Sequence, residues 1–271
     1  MPEIHPTAIV DPGAALGPGV TVGPYSIIDS HVIIGADTHL GPHVVVRPHT
    51  VIGRRCRIFQ FAVVGEIPQD LKFKGEETQL IIGDDNVIRE VATLHRGTAG
   101  GGGLTRLGDG NLLMAYTHVA HDCRLGNHII MSNAATLAGH ITVDDYAILG
   151  GLCAIHQFCR IGAHAFIGGA SAVARDVPPF CMAVGNRAKI VGLNLVGLKR
   201  HGFTLAALDN LKTAYELLFT SDLTLKEAMA QVRQRFPEEP AILKLLQFLE
   251  TSERGLAPID VRENRSYRGK E

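Results

Sequence analysis

Residues 119–148 read VAHDCR-LGNHII-MSNAAT-LAGHIT-VDDYAI, which are hexapeptides that each begin with a large apolar residue. The same rhythm extends outward from Ile4 to Val64, from Ile82 to Leu94, and from Leu107 to Val173. A period of six fits neither an amphipathic helix nor an alternating strand. It is typical of a parallel β-helix in which each coil has three short strands, with the first residue of every hexapeptide facing inward.

Small residues recur four positions after these apolar residues, as Ala135 and Ala147 illustrate. They predict tight inner corners that a bulky side chain would overpack. Four of the five cysteines share this position, so we interpret them as buried free thiols: Cys56, Cys123, Cys153 and Cys159. The spacing Cys153-x-x-His156-x-x-Cys159 is therefore not interpreted as a zinc site. Glycine often follows the apolar residue directly, which we interpret as a mark of sharp bends between strands.

Composition argues against several function classes. The formal net charge of −1 gives no electrostatic basis for binding nucleic acid or a membrane surface. The sequence has no run of 18 apolar residues, so no membrane span is expected, and no charged-then-apolar leader opens it. We expect a cytoplasmic protein.

The chain is predicted to contain two domains. Residues 1–189 form the β-helix, with loop insertions near 66–81 and 98–106. Residues 190–271 form a small helical domain with a polar tail. Its helix signals are a cap at Thr204, a capping box at Thr224 with Glu227, and a proline start at Pro240.

Counting hexapeptides in threes places four histidines on one face of the β-helix, next to the polar first insertion. A single histidine is more often a solvated surface residue, but four on successive coils favour a functional face. Imidazole can accept a proton near neutral pH, so such a face could supply a general base. The four are His95, His121, His140 and His156.

Several short motifs resemble those of a known enzyme family. They include Gln69-Asp70-Leu71-Lys72, His95-Arg96-Gly97-Thr98, His118-Val119-Ala120-His121-Asp122-Cys123, Ala138-Gly139-His140, His156-Gln157-Phe158-Cys159 and Gly197-Leu198-Lys199-Arg200. Together they resemble the acyl-carrier-protein-dependent UDP-N-acetylglucosamine O-acyltransferases that begin lipid A biosynthesis. The likeness covers nearly the whole chain.

The resemblance implies an all-β left-handed parallel β-helix, followed by the helical domain and assembled as a homotrimer with active sites between subunits. It implies transfer of a (3R)-3-hydroxyacyl group from acyl carrier protein to the 3-hydroxyl of UDP-N-acetylglucosamine. No cofactor and no metal are expected, and the partners are the carrier protein and the nucleotide sugar.

Residue roles follow from the same resemblance. His121 would be the general base, Asp122 would orient it, and the Gly139 N–H would stabilise the oxyanion. Since neighbouring side chains on a strand point to opposite faces, the pairing of His121 with Asp122 requires a bend. The substrate-binding residues implied are Gln69 and Asp70 for the sugar, Asn194 and Arg200 for the nucleotide, Gly169 for the acyl chain, and His95, His118, His140, His156 and Gln157 along the groove.

Some positions depart from the family pattern. Val196 stands where an acidic residue is common, Arg187 where a histidine is common, and His201 where a second arginine is common. Gly169 matches the position that gauges acyl length in the family, and a glycine there implies a long chain of around fourteen carbons. Basic residues of the helical domain such as Lys199, Arg200 and His201 could also meet the acidic carrier protein.

Four alternatives stay open on sequence alone. A γ-carbonic-anhydrase-like metalloenzyme could hold zinc with His118 and His121. A related N-acyltransferase could act on an amino-sugar nucleotide, and an O-acyltransferase-like enzyme could take an acceptor with a 3-amino group. A non-enzymatic assembly platform would leave the histidine face without a task.

Overall fold

The structure is a computed structural model that describes residues 1–260. It is a left-handed parallel β-helix of three sheets with helices at its C-terminal end, as the sequence predicts. Strands β1–β28 and helices α1–α4 are numbered in chain order.

Each sheet takes one strand from every coil. The first sheet contains β1 (Glu3–Ile4), β4 (Thr21–Val22), β7 (His39–Leu40), β10 (Arg57–Ile58), β13 (Val87–Ile88), β16 (Leu112–Leu113), β19 (Ile130–Met131), β22 (Ile148–Leu149), β25 (Phe166–Ile167), β27 (Cys181–Val184) and β28 (Lys189–Leu193). The second contains β2 (Ile9–Val10), β5 (Ile27–Ile28), β8 (Val45–Val46), β11 (Val63–Glu66), β14 (Thr93–His95), β17 (His118–Val119), β20 (Thr136–Leu137), β23 (Ala154–Ile155) and β26 (Ala172–Val173). The third contains β3 (Ala15–Leu16), β6 (Ile33–Ile34), β9 (Thr50–Ile52), β12 (Gln79–Ile82), β15 (Leu104–Leu107), β18 (Arg124–Leu125), β21 (Thr142–Val143) and β24 (Arg160–Ile161).

The register of the second sheet is the one obtained by counting hexapeptides. Leu94 pairs with Val119, Val119 with Leu137, and Leu137 with Ile155. These side chains are almost completely buried and stack into the core. Burial of such aliphatic side chains stabilises by about 1.5–3 kcal/mol each, so the repeat itself is the main source of stability.

The corners form differently from the prediction in one respect. The residue three positions after the inward apolar residue takes a left-handed conformation, as in Tyr116, Asp122 and His140. The glycine directly after the apolar residue is not the bend. A Cβ atom at Gly23 would lie 2.6 Å from the Gly41 carbonyl carbon of the next coil. Glycine is needed there because neighbouring coils approach closely.

Two loops leave the β-helix where the sequence places its insertions. The first spans 67–78, between β11 and β12. The second spans 96–103, between β14 and β15, and contains a short 3₁₀ helix, Ala99–Gly101. Both loops follow strands of the second sheet, so they flank the histidine face.

Four helices follow the strands: α1 (Leu195–Arg200), α2 (Leu205–Phe219), α3 (Leu225–Arg235) and α4 (Pro240–Glu250). The three predicted starts are confirmed, with Thr204 capping α2, the Thr224–Glu227 capping box opening α3, and Pro240 opening α4. The short α1 was not predicted from the sequence. The apolar faces of the four helices pack together into a second core.

The chain returns to the β-helix after α4. Leu256 forms a β-bridge with Asp176, and Ile259 forms one with Ile190. The predicted boundary at 189/190 falls inside β28, and the division into two domains stays a prediction. Within residues 1–260, no helix is both long and apolar enough to cross a bilayer. The cytoplasmic location stays a prediction.

Candidate active site

The histidine face lies at the corner between the second and third sheets. His118 points outward from β17, and His121 and His140 occupy the corners of successive coils. The His121 and His140 rings meet edge to face at 5.1 Å between centroids, and those of His95 and His118 at 4.8 Å. The structure therefore brings four imidazoles into two contacting pairs.

His121 and Asp122 form a hydrogen-bonded pair. His121 Nδ1 lies 2.8 Å from Asp122 Oδ2, and the Asp122 side chain is only 1% exposed. The bend that this pairing requires is present, because Asp122 has a φ of +60°. A buried carboxylate accepting the Nδ1 proton leaves His121 Nε2 as a proton acceptor.

Thr98 holds Asp122 in place. Its N–H donates to Asp122 Oδ1 at 2.8 Å, and its hydroxyl donates to Oδ2 at 2.6 Å. The Asp122 N–H in turn donates to Thr105 Oγ1 at 2.7 Å. No role was predicted for Thr98 from the sequence. The signal available was its place three residues after the end of β14, in the loop that faces this corner.

Gly139 lies beside His121, and its N–H has no acceptor among the described residues. At the equivalent corner position between the third and first sheets, the Asn127 N–H donates to Asp145 Oδ1 of the next coil at 2.7 Å. In the coil after Gly139 that position is Gln157, and within residues 1–260 the Gly139 N–H donates to no group. A Cβ atom on Gly139 would lie 2.5 Å from His121 Cε1. Only glycine fits between the two coils at this point.

His140 lines the same corner. Its Nε2 is 3.7 Å from Asp122 Oδ2, and its ring stacks on Phe158 at 4.6 Å. Burial lowers the pKa of His140, while the charges of Asp122 and Asp70 raise it in part. The charge of Asp70, on the first loop, thus acts on this corner. Gln69 is exposed on that loop, and Asp70 accepts the Lys72 N–H at 2.9 Å.

Two further imidazoles are kept neutral by their surroundings. Burial, reinforced by the neighbouring His118, lowers the pKa of His95 to about 4. Burial also lowers the pKa of His118, whose Nδ1 is 2.7 Å from Thr93 Oγ1. Because neither ring is charged at neutral pH, this part of the face offers hydrogen bonds without positive charge.

The remaining predicted residues are more dispersed. His156 and Gln157 are exposed in the next coil, and His156 contacts Arg254 instead of the other histidines. Gly169 is also exposed, but it lies at the corner between the first and second sheets. One protomer therefore does not place Gly169 beside His121.

The predicted nucleotide contacts lie near α1. Asn194 caps α1 by accepting the Gly197 N–H at 3.1 Å, and its amide donates to the His164 carbonyl at 2.9 Å. Both ends of this side chain thus serve the fold, and its role in nucleotide binding stays a prediction. Arg200 is exposed at the end of α1 and has no ion-pair partner among the described residues.

Three side chains could be considered as metal ligands. Those of His121, Asp122 and His140 lie within 4.8 Å of one another. However, His121 Nδ1 and both Asp122 oxygens are already hydrogen-bonded to protein groups. His118, the second ligand of the zinc alternative, is not in this group. The side chains of the Cys153-x-x-His156-x-x-Cys159 motif do not point to a common site either, because both thiols are buried while His156 is exposed.

Comparison with known proteins gives a consistent result. A family model described as UDP N-acetylglucosamine O-acyltransferase, domain 2, matches residues 176–257. A bacterial transferase hexapeptide model (six repeats) matches residues 31–66. The chain is similar to the acyl-[acyl-carrier-protein]–UDP-N-acetylglucosamine O-acyltransferase of Alkalilimnicola ehrlichii, with 56% identity over 94% of this chain and 99% of the relative. The Myxococcus xanthus protein of that name is 53% identical over the same shares.

Solved structures agree with the sequence relatives. LpxA from Acinetobacter baumannii has a TM-score of 0.91 and 48% identity, covering 94% of this chain and 99% of that chain. The UDP-N-acetylglucosamine acyltransferase of Francisella novicida has a TM-score of 0.92 and 40% identity, covering 96% and 95%. The resemblance stated from the motifs is therefore confirmed over nearly the whole chain.

Proposed function

This chain belongs to the UDP-N-acetylglucosamine O-acyltransferase family, and we propose that it transfers a (3R)-3-hydroxyacyl group from acyl carrier protein to the 3-hydroxyl of UDP-N-acetylglucosamine. One observation carries the proposal. A histidine paired with a buried carboxylate lies against a glycine whose N–H donates to no group within residues 1–260. A base and an oxyanion donor in adjacent coils are the groups that acyl transfer to a hydroxyl requires.

The first step is attack on the thioester. His121 Nε2 accepts the proton of the sugar hydroxyl while its Nδ1–H donates to Asp122. The sugar oxygen bonds to the thioester carbonyl carbon, and the carbonyl oxygen becomes negatively charged. The Gly139 N–H donates to this oxyanion, a contribution typically worth about 3 kcal/mol. Asp122 stabilises the imidazolium that forms.

The second step is collapse of the tetrahedral intermediate. The carbon–sulfur bond breaks, and the ester carbonyl reforms. The sulfur of the carrier protein leaves with the proton held on His121 Nε2, which restores the neutral imidazole. Atoms and charge balance with no further reactant, so the proposed reaction calls for no cofactor.

Substrate binding is proposed for the groups around this pair. Gln69 and Asp70 would contact the sugar from the first loop, and neutral His95, His118 and His140 would hydrogen-bond along the groove. His156 and Gln157 extend the face by one coil, and Arg200 suits a diphosphate because its planar fork matches two oxygens. Asn194 would act chiefly by fixing the start of α1.

A homotrimer is proposed on the basis of the outer surface of the first sheet. This surface carries a row of apolar side chains that pair in register on successive coils and are only half-buried in the single chain: Leu112, Ile130, Ile148 and Phe166. A continuous apolar row on a flat sheet favours coverage by another copy. Such packing would let Gly169 of one subunit approach the histidine face of another. Analytical ultracentrifugation tests this, and a fully active monomer would contradict it.

The proposed reaction is tested with 3-hydroxyacyl carrier protein and radiolabelled UDP-N-acetylglucosamine. We expect product from the wild type and a fall of at least about a hundredfold for His121→Ala. His31→Ala, at the exposed equivalent corner position four coils before Asp122, is the matched control. No product from the folded wild type would contradict the proposed reaction, and an active His121→Ala would contradict the role of the base. The acceptor with a 3-amino group is assayed in parallel.

A further inference from the structure

The segment after α4 contacts the histidine face through one arginine. Arg254 Nη2 lies 2.8 Å from His156 Nδ1, and Arg254 Nε donates to the Ala174 carbonyl at 2.8 Å. His156 itself donates its backbone N–H to the Val173 carbonyl at 2.8 Å. The arginine thus bridges the imidazole to the coil that follows it.

This contact determines which ring nitrogen of His156 carries the proton. A guanidinium can only donate hydrogen bonds and does not lose its proton in proteins. His156 Nδ1 must therefore accept, although it also lies 3.1 Å from the Gln157 carbonyl oxygen, which could only accept. The arginine contact is shorter and charge-assisted, so it prevails. In the neutral ring a proton on Nδ1 would set donor against donor, so the proton lies on Nε2.

The position of Arg254 is built into the fold. Two residues earlier, the Ser252 hydroxyl donates to Asp176 Oδ2 at 2.7 Å. Three residues later, the Ala257 N–H donates to the Asp176 carbonyl at 2.9 Å. Asp176 is fully buried and also accepts the Arg160 N–H at 2.8 Å. Anchors on both sides hold Arg254 beside the last coils, so its contact with His156 is not that of a free surface side chain.

We infer that Arg254 is a positioning residue, which holds His156 in one orientation and in its Nε2–H form so that this N–H donates to an oxygen acceptor of the substrate. This rests on the proposed function, which places His156 in substrate binding. The oxygen would belong to a carbonyl, hydroxyl or phosphate group. The inference assigns the segment after α4 a part in substrate binding, which the sequence motifs do not indicate.

A double-mutant cycle tests the inference, using wild type, Arg254→Ala, His156→Ala and the double variant. We expect Arg254→Ala to raise KM for one substrate about tenfold and to change kcat less than about threefold. In the His156→Ala background the same change should have less than about a twofold effect, because the arginine acts through the histidine. Equal effects in both backgrounds, or an unchanged KM in Arg254→Ala, would overturn the inference.

Two controls separate positioning from folding. Arg233→Ala removes another arginine of the helical region, one whose guanidinium pairs with Glu250, and should leave KM unchanged. Arg254→Lys keeps a donor and a charge, so it should retain part of the wild-type affinity. Thermal unfolding of every variant reports whether the segment after α4 stays docked.

A measurement that needs no activity distinguishes this inference from the proposed function. Nitrogen-15 NMR of ring-labelled histidine, with His156 identified by its loss in His156→Ala, should show an unprotonated Nδ1 and a protonated Nε2. Arg254→Ala should give a mixture of the two neutral forms. A protonated Nδ1 in the wild type would overturn the inference whatever reaction the protein catalyses. The expected spectrum together with an absence of transfer would overturn only the proposed function.

Discussion

His121 Nδ1 and Asp122 Oδ2 are 2.8 Å apart although the two residues are consecutive in the chain. In an extended strand their side chains would point to opposite faces. They meet because Asp122 occupies the left-handed corner position, with a φ of +60°. The corner geometry that closes every coil here places an imidazole against a buried carboxylate, which is the arrangement that the proposed base requires.

Asp122→Asn should abolish most of the activity while the fold persists. An amide in place of the carboxylate no longer fixes the proton on His121 Nδ1, and it does not stabilise the imidazolium. We expect kcat to fall by about 10²–10⁴-fold, with KM within a few-fold of wild type. Steady-state kinetics on the folded variant checks this, and a kcat within tenfold of wild type would refute the role given to Asp122.

Thr98→Val should lower kcat about tenfold, because it removes the hydroxyl that donates to Asp122 Oδ2 at 2.6 Å but keeps the backbone donor. Thr98→Ser retains the hydroxyl and should stay within about threefold of wild type. Parallel kinetics of the two variants provides the comparison. Equal activities would show that the hydroxyl has no effect on the reaction.

Gly139→Ala should reduce activity by at least about a hundredfold, because its Cβ would lie 2.5 Å from His121 Cε1 and must displace the imidazole. Gly100→Ala is the matched control, since nothing lies within 4 Å of a Cβ at that position. It should keep wild-type activity. An active Gly139→Ala would be incompatible with the close packing of base and oxyanion donor.

Gly169→Met should shift donor preference toward shorter acyl chains. Only the Gly151 carbonyl oxygen, at 3.3 Å, lies near a Cβ built at Gly169, so a longer side chain would extend outward from the corner. In the wild type, a donor shorter by about four carbons loses about 0.8 kcal/mol of binding free energy for each methylene that is no longer buried. Competition between the long and the short donor measures the ratio of their kcat/KM values, and the preferred donor should change in the variant. An unchanged donor preference would show that Gly169 does not line the acyl-binding groove.

Acidification should destabilise the fold partly through His95. Its folded pKa of about 4 lies below its ordinary value of 6.5, so between these values the unfolded chain binds a proton that the folded chain does not. The contribution of His95 to the free energy of unfolding is therefore fully present above pH 6.5 and declines as the pH falls toward 4. His95→Asn should show a shallower decline of the unfolding midpoint over this window. Identical slopes would argue against a contribution from His95.

Much of the fold followed from the sequence because its signals are local and repeated. The six-residue rhythm fixed the inward residues, and their stacking in threes gave the register of Leu94, Val119 and Leu137. The helix starts at Thr204, Thr224 and Pro240 were equally local, since capping depends on a few neighbouring residues. The purpose of the glycines that directly follow the inward apolar residues could not be predicted, because close approach between coils is a contact across the fold.

The histidine face shows where local reasoning ends. The sequence by itself determined the β-helix, the family, and the coils on which His95, His121 and His140 lie, because a strict repeat converts sequence distance into spatial neighbours. Only the tertiary structure decided which side chains meet. Thr98 reaches Asp122 from a loop outside the repeat, and Arg254 reaches His156 from a segment almost a hundred residues later. Such contacts depend on how loops and helices pack against the coils, which no periodic pattern encodes.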